Sequence, residues 1–337
     1  LEVNKGAYLP EYGDFATAGA VNFHTRDVVK DGVVQSAGGQ FSTQRTMLMF
    51  SPTTEKVRTL IAAEGYYTNG PFQSANRYFR ANLFGKLTTN LSGRDELSIT
   101  GTYHKAQWNA SGEIPLRAVN DGSLNRFGAI DPSEGGKTTR STAKLKYHYD
   151  TMSGGQFFAN AYAQYYQLDL YTNFTYFQND PVNGDGIVQS DRRVMYGGDF
   201  GYKQRGEVFG LPSIGTIGFQ ARVDDIHAKL GTQTTRVMTG TTSDTDILEA
   251  SYAPFVKAEV QPTDWLRLVG GLRGETFTFD VRNRCTICAE QPAGRKSSGV
   301  VLPKANLILG PWASTELFAN YGEGYHSNDA RSAVAPG

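Results

Sequence analysis

Residues 246–280 read Asp246-Ile-Leu-Glu-Ala-Ser-Tyr-Ala-Pro-Phe-Val-Lys-Ala-Glu-Val-Gln-Pro-Thr-Asp-Trp-Leu-Arg-Leu-Val-Gly-Gly-Leu-Arg-Gly-Glu-Thr-Phe-Thr-Phe-Asp280. In the first half the even positions are Leu248, Ala250, Tyr252, Pro254, Val256, Ala258 and Val260. The odd positions include Glu249, Ser251, Lys257 and Glu259. Gln261-Pro262-Thr263-Asp264 is turn chemistry. In the second half Leu266, Leu268 and Leu272 share one face, and Arg267, Arg273 and Glu275 the other. A period of two belongs to an extended strand with one apolar and one polar face. Each arm exceeds the five or six residues of a typical strand and reaches the roughly ten tilted residues that cross a bilayer. The stretch predicts a membrane-spanning β-hairpin.

The same alternation extends to both sides. Over 56–67, Ile61, Ala63 and Tyr67 oppose Arg58 and Glu64. Over 138–150, Ala143, Leu145, Tyr147 and Tyr149 oppose Lys144, Lys146, His148 and Asp150. Counted along the chain, about twelve strands are predicted from residue 39 onward. Short turns at 51–54, 91–94, 152–155 and 310–312 alternate with long polar connections at about 109–137 and 173–191, and a Thr/Ser-rich loop precedes the hairpin. Short turns at one end and long loops at the other are the pattern of outer-membrane barrels. The fold expected is all-β, a transmembrane antiparallel β-barrel. A polar inner face needs water or a filling domain, and an open edge in lipid leaves backbone groups unpaired at several kcal/mol each. The twelve strands are therefore read as a piece of a larger barrel, and barrels of about 22 strands hold a plug.

Composition agrees. The 337 residues carry no net charge, and no basic run or basic aromatic platform suggests a nucleic-acid partner. No apolar run is long enough for a transmembrane helix. Mean hydropathy is negative, as expected where only every second strand residue faces lipid. No charged-then-apolar leader begins the chain, which is read as a trimmed or partial chain.

Few residues suggest chemistry. Cys285 and Cys288 are the two cysteines. Redox use would need a βαβ context and a structural zinc site about four ligands. Neither is visible, so a disulfide at a loop tip is expected. The histidines form no HExxH or similar arrangement, and no nucleophile elbow is present. His104 and His148 fall on polar strand faces, where a solvated side chain is the plain reading. No enzyme is expected. In 179–191, Asn183, Asp185 and Gly186 fit positions of a calcium loop, and Asp191 lies one residue from its last ligand position. Pro181 and Arg192 occupy the first and last positions and carry no carboxylate. Calcium held by Asn183, Asp185 and Asp191 is the bolder reading, and a turn-rich loop the plainer one.

Leu9-Pro-Glu-Tyr-Gly-Asp14 and Ala18-Gly-Ala-Val-Asn-Phe-His-Thr-Arg26 resemble the end of the plug domain of TonB-dependent outer-membrane receptors. Ala319-Asn-Tyr-Gly-Glu-Gly-Tyr-His-Ser-Asn-Asp-Ala-Arg331 resembles a mid-barrel strand of that family, and Asn179–Asp185 one of its loops. The resemblance divides the chain into residues 1–27, the C-terminal end of a plug, and 28–337, a partial barrel. It implies that the energy-coupling box and most of the plug precede Leu1, and that about ten strands follow Gly337. It implies placement in the outer membrane of a Gram-negative bacterium, with lipid, a small-molecule nutrient and the inner-membrane TonB complex as partners. The expected activity is active uptake, with a ferric siderophore as ligand and no cofactor. Cobalamin, another metal chelate or a glycan are the alternatives within the family. A passive porin or an outer-membrane enzyme is the alternative outside it. Lys144, Lys146, Arg267, Arg273 and Glu275 are the lumen-facing polar candidates.

Overall fold

A small ribbon begins the chain: β1 (Glu2–Lys5) pairs antiparallel with β2 (Gly19–Asn22), Val3 opposite Val21. The computed structural model describes residues 1–289, 291–327 and 329–335. After the ribbon comes one meander: β3 (Val33–Gly39), β4 (Thr43–Phe50), β5 (Val57–Thr68), β6 (Tyr78–Thr89), β7 (Asp95–Asn109), β8 (Gly135–Asp150), β9 (Gly155–Thr172), β10 (Gly186–Val208), β11 (Leu211–Thr234), β12 (Val237–Thr263), β13 (Leu266–Asn283), β14 (Gly294–Trp312) and β15 (Thr315–Gly322). These join in sequence order into a single 13-stranded antiparallel sheet with β3 and β15 at its edges. Two single-turn helices, α1 (Leu116–Asn120) and α2 (Ala330–Val334), lie in the connection after β7 and beyond β15.

The burial pattern is that of a membrane wall. Leu83, Ile99, Leu145, Phe200, Ile217, Val256 and Leu272 point outward and are exposed. Phe255, Arg273 and Glu275 point inward and are 3%, 3% and 5% exposed. Apolar surface placed outward would be hydrated at a cost in water, and lipid removes that cost. Trp265 and Trp312 stack at 6.2 Å at the short-turn end, where indoles suit the bilayer interface.

Several boundaries differ from the sequence reading. The strand read over 39–50 begins at Thr43, and β3 before it is the additional strand. The connection read over 173–191 ends at Asp185, because β10 begins at Gly186. The Thr/Ser-rich loop is no loop: β11 and β12 run 24 and 27 residues and meet at a turn of Thr235 and Arg236. About ten residues cross the bilayer, so this ribbon extends well beyond it. Register shifts after Leu230 and Thr232 mark where it bends. The turn of the hairpin lies at Asp264-Trp265 rather than 261–264.

Candidate functional site

The inner wall holds the first residues of the chain. Arg273 donates from Nε to Glu275 Oε2 at 2.7 Å, and from Nη1 to the Pro10 carbonyl at 3.1 Å and to Gln220 Oε1 at 2.7 Å. Gln220 in turn donates to the Glu11 carbonyl at 3.0 Å, and Lys257 pairs with the Glu11 carboxylate. Lys304 Nζ donates to the Ala7 carbonyl at 2.7 Å and Asn306 to that of Tyr8 at 3.1 Å. The five side chains that reach the segment, Gln220, Lys257, Arg273, Lys304 and Asn306, come from the adjacent strands β11–β14, on the face opposite the lipid-facing leucines. At the far side of the segment Asp27 meets Lys86 at 2.6 Å. Residues 7–27 thus span the wall from β14 to β6. A Cβ at Gly13 would lie 2.5 Å from the Arg273 guanidinium, so the Tyr-Gly pair lets the segment touch this clamp.

The stretch after β15 closes over the same place. Asp14 accepts from Ser327 N at 2.6 Å and Ser327 Oγ at 2.7 Å, Phe15 N donates to the Tyr325 carbonyl at 3.1 Å, and Phe15 stacks on His326 at 5.9 Å. Here α2 buries Ala330 against Ile226, Ile247, Phe279 and Val281. Between segment and wall is a cavity of about 290 Å³, bordered by Asp14, Asp199, Arg222, Glu249 and Phe277.

Farther toward the long-loop end, the inner wall of β4–β10 is aromatic and cationic. Arg45 and Arg80 flank Glu64, and the Arg80 guanidinium lies 5.2 Å from the centre of the Tyr66 ring. Tyr66 packs edge-on to Tyr78. His104 Nδ1 is 2.7 Å from Asn82 Oδ1. Arg140 and Arg193 approach the Tyr166 ring at 5.4 and 5.9 Å. An open pocket of about 690 Å³ lies beside Tyr66, Tyr78, His104 and Trp108. Arginine over an aromatic ring keeps its charge available and presents a flat surface.

Comparison with known proteins decides the family. The family model described as "TonB dependent receptor-like, beta-barrel" matches residues 65–336. The chain belongs to the TonB-dependent receptor family. No curated protein matches it in sequence. Its fold is similar to that of the unliganded ferric citrate transporter FecA, at 16% identity and TM-score 0.76, over 94% of this chain and 47% of that one. It is similar to the ferric-catecholate import receptor Fiu from E. coli K12 in its open form, at 13% identity and TM-score 0.75, over 96% and 59%. It is similar to the copper transporter OprC, at 15% identity and TM-score 0.72, over 98% and 51%. The chain spans about half the length of these structures.

Within this receptor fold the residues singled out from sequence separate. Arg273 and Glu275 are brought together in the clamp. Lys144 and Lys146 stand exposed on the inner wall of β8, opposite Tyr162 and Asn160 of β9. Arg267 sits near the short turns, 3.9 Å from Glu259 and 4.0 Å from Glu316. Asn183, Asp185 and Asp191 do not converge. Asp191 lies in β10 paired with Arg193, while Asp185 accepts from Asn179 N at 3.0 Å. Asp180 accepts from the Val182 and Asn183 N–H groups, which hold its carboxyl below the usual range. Among the described residues no group of three His, Cys, Asp or Glu is placed to hold a metal ion. Cys285 and Cys288 are bonded to each other, Cα atoms 5.5 Å apart. Sequence reading missed Gln220, Lys304 and Asn306 of the clamp, and the Arg80–Tyr66 and Arg140–Tyr166 pairs. Their common signal is a polar side chain on the inward parity of a strand.

Proposed function

We propose that this chain is the plug end (residues 1–27) and first part of the barrel (28–337) of an outer-membrane receptor that takes up an aromatic, anionic ferric chelate of the siderophore class, driven by the TonB complex. The observation that carries this reading is the inner wall at the long-loop end. Arg80 lies over Tyr66, and Arg140 and Arg193 over Tyr166, with Arg45 nearby; among the described residues only Glu64 and Asp191 pair with these arginines. A ring-bearing anion gains both charge attraction and stacking from such a surface. The segment clamped across the lumen supports a plugged receptor over a passive porin, since a held segment obstructs steady conduction. The binding step calls for no covalent chemistry: loops and wall bind, the plug moves, and the lumen conducts.

The test uses the full-length protein in a Gram-negative strain stripped of its own iron receptors. Radioiron uptake is followed from ferric catecholates, ferric hydroxamates and free iron, with and without TonB. Uptake of a catecholate that needs TonB, and falls at least ten-fold in the Arg80→Gln/Arg140→Gln variant, is expected. Equal uptake with and without TonB would refute the energy-coupled reading. Binding of cobalamin or a glycan in place of every ferric chelate would refute the ligand class.

A further inference from the structure

The long connection after β7, residues 110–134, is tied to three neighbours at the long-loop end. Its Phe127 packs edge-on to Phe72 at 6.4 Å, and the Phe127 carbonyl accepts from Gln73 N at 2.9 Å, both in the connection after β5. Its Glu113 accepts from the Tyr176 hydroxyl at 3.1 Å and its Asp131 from Asn173 Nδ2 at 3.2 Å, both in the connection after β9. Its Ser133 and Glu134 carbonyls accept from Arg236, at the tip of the β11–β12 ribbon, at 2.6 and 2.8 Å. The root of the connection also borders the lumen mouth. Ala110 N donates to the Glu134 carbonyl at 2.8 Å. Asn109 beside it donates from its backbone to the Asn76 carbonyl at 2.7 Å and accepts from Asn76 Nδ2 at 3.0 Å. Asn76, Trp108 and Asn109 line the pocket of about 690 Å³ that Tyr66 and Tyr78 also line.

At the centre of these ties stand two carboxyls with unequal surroundings. Asp131 is 5% exposed and satisfied, accepting from Ser133 N at 2.8 Å, from the Ser133 hydroxyl and from Asn173 Nδ2. Glu134 is 7% exposed, and among the described residues no side chain donates to its carboxylate; the Asn173 backbone N–H faces it. The carboxylate lies over Gly112, whose φ is +61° and where a Cβ would run into it. The charged and titratable groups around Glu134 are acidic or already engaged. Asp131 and Glu113 come from its own connection, and Tyr176, bound to Glu113, from the connection after β9. Arg236 turns its N–H groups to the carbonyls of Ser133, Glu134 and Trp108 and to Asn109 Oδ1. Lys137 in β8 meets Asp169 at 3.4 Å, and Arg117 of α1 acts on Tyr176 and Asp121. Burial first, and Asp131 second, push the Glu134 carboxyl up to about 7.

We propose that residues 110–134 form a proton-operated lid at the mouth of the lumen, latched while Glu134 carries its proton and released when that proton leaves. Losing the proton puts a second negative charge beside Asp131, with no unengaged cation among the described residues around it. Water can solvate that charge only if the connection lifts. Lifting breaks the bond from Ala110 to Glu134, so Asn109 and Asn76 lose their support and the rim of the mouth pocket loosens. The sign follows from the raised carboxyl. The closed lid is favoured at low pH, and the advantage fades as pH rises from 4.5 through about 7. Within that window each pH unit shifts the open-to-closed ratio by up to about ten-fold. A ligand in the mouth pocket is then held longer in acidic surroundings than in neutral ones. Only this last step rests on the uptake reading proposed above.

The experiment uses the full-length receptor in nanodiscs, without ligand, and follows tryptic cleavage after Arg117 and Arg126, both exposed on the lid. Rates are divided by those of a free peptide spanning residues 113–130, which removes the protease's own pH dependence. On this relative scale the wild type should be cut at least ten-fold faster at about pH 7 than at about pH 5. Glu134→Gln should stay at the slow rate at both. Release of a bound synthetic ferric catecholate is then measured as the ratio of wild type to Glu134→Gln at each pH, so that the chelate's own protonation cancels. That ratio should rise between the same two pH values. A flat wild-type cleavage rate, faster cutting in acid, an equal rise in Glu134→Gln, or a release ratio unchanged by pH would each overturn the proposal. Should Glu134→Gln fold poorly, the size and sign of the wild-type cleavage profile still decide. The expected cleavage profile with no ferric catecholate retained at any pH would overturn the ligand reading and leave the latch standing.

Discussion

Arg273 is almost without solvent contact, and its donors are divided between a carboxylate on its own strand, a side chain two strands away and a backbone carbonyl near the N-terminus. Removing one partner of a buried pair leaves the other charge uncompensated, at about 3–5 kcal/mol. Arg273→Ala should therefore free residues 7–14 from the wall while the ladder, held by backbone groups, persists. Tryptic cleavage after Lys5 and Arg26 in the folded receptor should accelerate at least ten-fold; cleavage at the wild-type rate would remove Arg273 from the clamp. Glu134 carries a second prediction. It sits in the connection after β7, 7% exposed, and burial together with nearby Asp131 pushes its carboxyl up to about 7. A carboxyl whose folded value is raised favours the folded loop below its ordinary value of 4.5 and loses that advantage as pH rises through about 7. Hydrogen exchange over residues 110–134, corrected for intrinsic rates, should quicken as pH rises from 4.5 to about 7 in the wild type, the window between the two values, and stay flat in Glu134→Gln. A flat wild-type profile would sink the assignment. The inward position of Arg273 and Glu275 was legible from alternation. The Pro10 acceptor of Arg273 was not, because a backbone carbonyl 263 residues away leaves no mark in the side-chain pattern.

The strands that alternate over a bilayer's thickness were readable, and the β11–β12 ribbon shows where that reading stops. Within the membrane one face must be apolar, so Leu248, Tyr252 and Val256 mark the strand plainly. Beyond it both faces meet water, so Thr239, Thr241, Thr242 and Ser243 continue the strand with no alternation left to see. Threonine favours pleated backbone regardless, and that propensity was the one signal available. Asp191 belongs to the same class of miss: it looks like a loop ligand because β10 also outruns its apolar face. At the tip of the ribbon Arg236 reaches the carbonyls of Ser133 and Glu134 across the ends of β8–β10. Arg236→Ala should release the tip without touching the membrane-spanning ladder. Hydrogen exchange at Thr232–Thr239 and over 110–134 should rise together, with residues 248–260 unchanged. A rise confined to the tip would mean that the connection after β7 is held by its own contacts.

At the scale of the molecule, the two stretches that resemble the receptor family prove to be neighbours in space. A Cβ at Gly322 would lie 2.2 Å from the Ala7 carbonyl, and Ser327 binds Asp14. The glycines of Tyr321-Gly-Glu-Gly-Tyr325 are explained by the backbone they let pass, a reason that no single strand contains. The sheet around this contact is curved but not closed. β3 and β15 are its edges, and β15 is exposed along almost its whole length. In lipid each unpaired N–H or C=O at such an edge costs several kcal/mol, and an exposed edge is a template for pairing with another copy. A polypeptide limited to residues 1–337 should therefore refold in detergent with strand content but form edge-paired oligomers, with no heat-modifiable monomer on a semi-native gel. Supplying strands that pair with both β3 and β15 should restore that monomer. A heat-modifiable monomer from residues 1–337 alone would mean that β3 and β15 can pair with each other, and would make the thirteen-stranded sheet a barrel in its own right.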